Sequence, residues 1–98
     1  MKLSQAAADV LAERRRQIEA EGWTPEHDDS YQHDELALAA TCYCMSSFGE
    51  LFERFEDMWP WDVNWFKRAD PRRDLVKAGA LILAEIERLD RSAAPEVK

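Results

Sequence analysis

Asp70-Pro71-Arg72-Arg73-Asp74-Leu75-Val76-Lys77-Ala78-Gly79-Ala80-Leu81-Ile82-Leu83-Ala84-Glu85-Ile86-Glu87-Arg88-Leu89 carries the clearest pattern in the chain. Aspartate followed by proline marks a helix start: the carboxylate accepts from a free amide, and the fixed φ of the ring suits the first turn. Behind it, Leu75, Gly79, Ile82, Ile86 and Leu89 recur at three- and four-residue spacing, the period of one helix face. A glycine inside such a helix costs about 1 kcal/mol relative to alanine. Close approach of another helix, or of a ligand, at Gly79 would offset that cost.

Two earlier helices follow from similar signals. The first opens at Ser4, a good N-cap, runs to about Glu21 and stops at Gly22, where a left-handed residue is expected. Its apolar positions are Leu3, Ala7, Val10, Leu11 and Ile18, with Arg14 and Arg15 at the edge of the stripe. A cation there either snorkels to solvent or meets a partner. The second helix begins near Asp34 or Glu35 and buries Leu36, Ala39, Ala40 and Tyr43, with Gly49 as its stop. The stretch 50–56 extends it or forms a short helix of its own. Pro60 then keeps the segment Trp59–Phe66 from being helical throughout. The expected architecture is all-α: a compact three- to four-helix domain over residues 1–91, with a long aromatic-rich loop before the last helix and a flexible tail at 92–98.

Composition narrows the function classes. A 98-residue chain with 46% apolar residues supports one modest core, and its net charge of −7 disfavours general nucleic-acid binding. Local clusters differ in sign from the whole: Arg14-Arg15-Arg16, Lys67-Arg68 and Arg72-Arg73 with Lys77 are basic. Cys42 and Cys44 are the two cysteines and read as reduced thiols, as in a cytosolic protein. No apolar run is long enough to predict a signal peptide or a membrane span.

All four tryptophans fall in two non-helical segments, Glu19–Asp29 and Trp59–Phe66. Rings in turns beside charged residues suit a pocket, because ordinary turns are small and polar. Trp23, Trp59 and Trp61 are candidates to stack on a base, each stack being worth roughly 1–3 kcal/mol. Arg14, Arg72, Arg73 and Lys77 are candidates to meet phosphates, by guanidinium forks and by the amides of a helix start. His27 and Asp28 would contact polar edges of base or ribose. The bland alternative is that the rings close the open end of a small bundle. The runs His27-Asp28-Asp29 and His33-Asp34-Glu35 likewise read as helix caps, as ligand contacts or as metal ligands.

Two pairs of acids three residues apart, Glu50 with Glu53 and Glu87 with Asp90, share helix faces. Their arrangement resembles the acidic signatures of all-α nucleoside triphosphate pyrophosphohydrolases of the MazG type. That resemblance implies Mg²⁺-dependent hydrolysis as an alternative; otherwise no cofactor or metal is expected.

The run Arg14-Arg15-Arg16-Gln17-Ile18-Glu19-Ala20-Glu21-Gly22-Trp23-Thr24, then Asp28-Asp29 and His33-Asp34-Glu35-Leu36, resembles the repeat domain of ryanodine receptors. Asp70-Pro71-Arg72-Arg73-Asp74 is similar to its later charged segment. The chain departs from that repeat at Pro25-Glu26, at Asp34 and in its aromatic insert at 59–66. From Ala7–Glu13 through Leu75–Leu89 the chain also looks like a family of small bacteriophage and prophage proteins. Together these resemblances imply a viral accessory protein of the bacterial host cytoplasm that binds, and thereby sequesters, a nucleotide-derived immune signal. An acidic inhibitor of a host defence protein is a further alternative, and the apolar surplus of the last helix admits a homodimer.

Overall fold

The computed structural model describes residues 2–30, 34–49 and 55–92, with the side chains of residues 55 and 56 excepted. The chain is all-α: among the described residues there is no strand. Helix α1 spans Gln5–Glu21. Ser4 caps it by accepting from the Ala7 amide at 3.1 Å, and Gly22 ends it in the left-handed region at φ 75°. That conformation costs a side-chain-bearing residue energy but suits glycine. A single turn, α2 (Pro25–Asp28), follows under a Thr24 cap. Helix α3 covers Glu35–Ser47 behind Asp34, which takes φ 61° and makes no side-chain capping bond. A turn α4 (Phe55–Met58) and a 3-10 turn (Val63–Trp65) lead to α5, Pro71–Ser92. Asp70 caps α5 by accepting from the Arg73 amide at 2.9 Å. The tail expected at 92–98 lies outside the described residues except for Ser92, which closes α5.

Helix α5 is the centre of the fold, with α1, α2 and α3 packed against it. Its contact with α3 is built on small residues, Ala39 and Ala40 on one helix and Ala78 and Ala84 on the other, around Leu36 and Leu81. Small side chains let helix axes approach closely, so dispersion contacts accumulate over a short core. A buried carboxylate reinforces this packing. Asp74 accepts from Ser46 Oγ of α3 at 2.7 Å and from the Ala69 amide at 2.8 Å, which pins the loop, α3 and the start of α5 together. At Gly79, a Cβ would stand 3.2 Å from Val10 Cγ2, so the glycine admits α1 at closest approach.

The apolar stripe that announces α5 is not its core face. Leu75, Ile82, Ile86 and Leu89 are 51%, 45%, 49% and 49% exposed. The buried positions are instead Asp74, Val76, Ala78, Ala80, Leu81 and Ala84. Likewise Leu3, which precedes α1, and Leu11 within it are exposed, whereas Glu13, Arg14 and Gln17 are buried. Periodicity located the long helices, but the α1–α5 contact combines ion pairs with the Val10–Gly79 approach, and the α3–α5 contact is alanine-rich. No helix among the described residues is long and apolar enough to cross a membrane.

Candidate functional site

Most of the sequence-nominated residues fall in two places along the α1–α5 contact. The first is a closed polar knot. Arg14 Nη2 donates to Asp28 Oδ2 and to Glu87 Oε1, both at 3.1 Å, while Nε reaches Glu87 at 3.2 Å and Nη1 reaches the Trp23 carbonyl at 3.1 Å. One buried guanidinium therefore ties α1 to the Trp23 turn, to α2 and to α5. Asp28 is fully buried. Burial pushes its carboxyl above the ordinary range against the opposing pull of Arg14 and His27. Arg91 adds an outer clasp, donating to Asp29 at 2.7 Å and to the Pro25 carbonyl. The donors of Arg14 thus act within the fold and face no opening.

Beside the knot stands a file of rings. Trp59 is buried and packs edge-on against Tyr43 (centroids 5.7 Å apart), Trp61 (5.3 Å) and Phe66 (5.0 Å). Its indole N–H donates to the Asp62 carbonyl at 3.0 Å. Trp61 in turn meets Trp23 at 5.4 Å, with ring planes 43° apart. Edge-to-face and tilted contacts of this kind each add about 0.5–1.5 kcal/mol beyond area burial. The file grades from a core member, Trp59, through half-buried Trp61 and Trp23 to Trp65, which is 51% exposed.

The second place is open. Between α1, α3, the 3-10 turn and the first turns of α5 lies a cleft of about 630 Å³. Trp23, Tyr43 and Trp65 line it with rings; Arg16, Lys67, Arg73 and Lys77 line it with cations; Glu13, Gln17, Glu21 and Asn64 complete the wall. A smaller hollow of about 230 Å³ shares Glu21, Trp23 and Trp65 with it and adds His27 and Trp61. Glu13 organises the cations: Arg16 donates to both its oxygens at 2.9 Å, and Arg73 bonds to Oε1. Burial alone would raise the Glu13 pKa, but the bonds and charges of Arg16 and Arg73 outweigh it and hold the carboxyl below its usual range. Lys77 donates to the Lys67 carbonyl at 2.5 Å and lies 5.4 Å from the centre of the Tyr43 ring. Desolvation, with the charge of Arg73 nearby, lowers its pKa. Gln17 is buried on the same wall, and its amide oxygen has no hydrogen-bond partner among the described residues.

Of the residues singled out from sequence, the structure brings Trp23, Arg73 and Lys77 to the cleft and His27 and Trp61 to the adjoining hollow. Arg14 and Asp28 form the knot, Trp59 is core, and Arg72 reaches out to Asp9 at 2.9 Å beyond the cleft. Glu50 and Glu53, like His33, lie outside the described residues. Glu87 accepts from Arg14, Asp90 is exposed, and no cluster of potential metal ligands occurs among the described residues. Sequence reasoning did not nominate Glu13, Gln17, Glu21, Tyr43, Asn64 or Trp65 for the cleft. The signal available was helical spacing: Glu13, Arg16, Gln17 and Glu21 fall at three- and four-residue intervals on α1. In comparisons with known proteins, no family model, curated protein or solved structure matches the chain.

Proposed function

We propose that the chain binds and holds a small anion bearing an aromatic ring, a nucleotide or nucleotide-derived signal, in the cleft between α1, α3 and α5. The observation that carries this reading is the meeting of the half-exposed Trp65 ring with Arg16, Lys67, Arg73 and Lys77 in one opening of about 630 Å³. That volume lies in the range of small-molecule sites, about 300–1,000 Å³. Trp65 and Trp23 offer π-faces to a base. The four cations outnumber Glu13 and Glu21 and supply phosphate donors. The unpartnered amide oxygen of Gln17 offers an acceptor for an exocyclic amine at the inner wall.

The ligand is held rather than converted in this reading, and sequestration of an immune signal in a phage-infected cell is the role it would serve. The test is calorimetric titration of the purified chain with ATP and with a cyclic dinucleotide, each with and without Mg²⁺, followed by chemical analysis of the recovered ligand. Saturable binding and intact release support the proposal. Absence of binding by every probe defeats it, and release of a monophosphate transfers the function to the Mg²⁺-dependent pyrophosphohydrolase alternative.

A further inference from the structure

The exposed stripe of α5 has a regularity that neither the fold nor the cleft uses. Leu75, Ile82 and Leu89 are seven residues apart, with Ile86 between the last two, and each is about half exposed. At about 100° per residue the four side chains fall within an arc of about 60° on one face. Helix α3 contacts the Asp74, Ala78 and Leu81 side, and α1 contacts Arg73, Gly79 and Glu87. The stripe lies on the third side, opposite the Arg73 and Lys77 that line the cleft. A heptad of large aliphatics sustained along a 22-residue helix is the pattern of helix pairing.

From this face we infer that the chain forms a homodimer in which two copies of α5 pack antiparallel about a two-fold axis at Ile82. The stripe is self-complementary in that sense: Ile82 meets its own copy, and Leu75 meets Leu89 of the second copy. Charge selects the direction. Arg72 and Asp90 project from the same flank of the stripe, and both are exposed; Arg72 holds Asp9 of its own chain through one terminal nitrogen and keeps its other donors for Asp90 of a second copy. Antiparallel pairing about Ile82 sets Arg72 of each copy beside Asp90 of the other, within about two residues of the same height, twice by symmetry. Parallel pairing would instead set Glu85 against Asp90, acid against acid, at the flanking positions that govern partner choice in paired helices. Arg88 holds Glu85 at 2.8 Å within its own chain and softens that repulsion, so the direction rests chiefly on the Arg72–Asp90 pairing. The isologous contact closes on itself and leaves a cleft open on the outer side of each copy.

Sedimentation and cysteine crosslinking of the full chain test this arrangement. At about 100 μM, above the micromolar dissociation constants of modest interfaces, the wild type should sediment as a dimer. Ile82→Asp should be monomeric with an unchanged circular dichroism spectrum, because position 82 is outside the core. Under mild oxidation Ile82→Cys should give a covalent dimer beyond the wild-type background. Leu75→Cys alone should not, and Leu75→Cys mixed with Leu89→Cys should. A monomeric wild type overturns the dimer, as does an Ile82→Asp variant that still dimerises. Efficient crosslinking of Leu75→Cys to itself overturns the antiparallel direction. The double charge reversal Arg72→Glu with Asp90→Arg should retain dimerisation that either single reversal weakens by about tenfold, and equal behaviour of all three overturns the charge argument.

Discussion

The two ends of the α1–α5 contact are built from the same kinds of residue and differ in what remains exposed. At one end Arg14 is buried, and its donors go to Asp28, Glu87 and the Trp23 carbonyl. At the other, Arg16 and Arg73 converge on Glu13 at the wall of an open cleft, with Lys77 beside them. A buried guanidinium encircled by carboxylates and a carbonyl is a structural tie. Cations that share Glu13 at an opening, with Arg16 also reaching Glu21 at 3.1 Å, retain their remaining donors for a ligand. The tryptophans repeat the contrast, from buried Trp59 to half-exposed Trp65. Arginine and tryptophan therefore do not by themselves mark a site; whether their polar and ring surfaces are already occupied does.

Variants at the closed end should have the largest effects, and on stability. Arg14→Ala leaves Asp28 without its cation in a dry setting and should lower the unfolding free energy by about 3–5 kcal/mol, read by urea denaturation. Trp59→Ala removes a core ring and should cost a similar amount, about 3–5 kcal/mol. Either variant unfolding at the wild-type midpoint would break the contrast.

Variants at the open end should reverse that balance. Trp65→Ala should shift the unfolding free energy by about 0.5 kcal/mol, the surface range. Its loss of one stacking face should weaken nucleotide binding by about 1–3 kcal/mol, roughly 5- to 150-fold. Arg73→Gln should reduce affinity by about tenfold, in keeping with one charge-assisted contact of about 1.5–3 kcal/mol. Its stability cost should stay near 1 kcal/mol, since Arg16 still serves Glu13. Raised salt should narrow the affinity gap between Arg73→Gln and the wild type, because an open site is screened.

The smallest expected effect is acid-dependent. The folded-state pKa of Glu13 lies below its ordinary value of 4.5. Its contribution to stability is therefore complete above that value and is lost as pH falls through the folded-state pKa. Glu13→Gln should flatten the acid limb of a stability–pH curve below about pH 4.5. The raised pKa of Asp28 works in the opposite sense, adding stability as pH falls toward its unfolded value of 3.8.

Local signals in the sequence locate the three long helices of this fold, while the turn α2 (Pro25–Asp28) and the 3-10 turn (Val63–Trp65) fall in segments expected to be non-helical. Ser4 and Gly22 bound α1, Asp70-Pro71 starts α5, and Pro60 keeps the aromatic run irregular, because caps and breakers act within a turn or two. Gly79 also signalled the close approach that Val10 makes. Burial was harder to read. The aliphatic stripe of α5 faces outward, since the helix packs through alanines on one side and through ionic contacts on another. Those contacts join residues 60 to 73 positions apart, such as Glu13 with Arg73 and Arg14 with Glu87. Pairings of that separation depend on tertiary geometry and leave no local pattern. For the same reason Trp23, Arg73 and Lys77 were legible as cleft residues from their ring or charge. Gln17, Tyr43 and Trp65 joined them only once α1, α3 and the 3-10 turn were set side by side.

The most direct measurement is a paired titration and thermal melt of wild type and Trp65→Ala with the tightest-binding nucleotide probe. An open binding end requires the variant to melt within a few degrees of wild type while losing at least fivefold in affinity. Unchanged affinity, or a melting loss as large as that of Trp59→Ala, would contradict it.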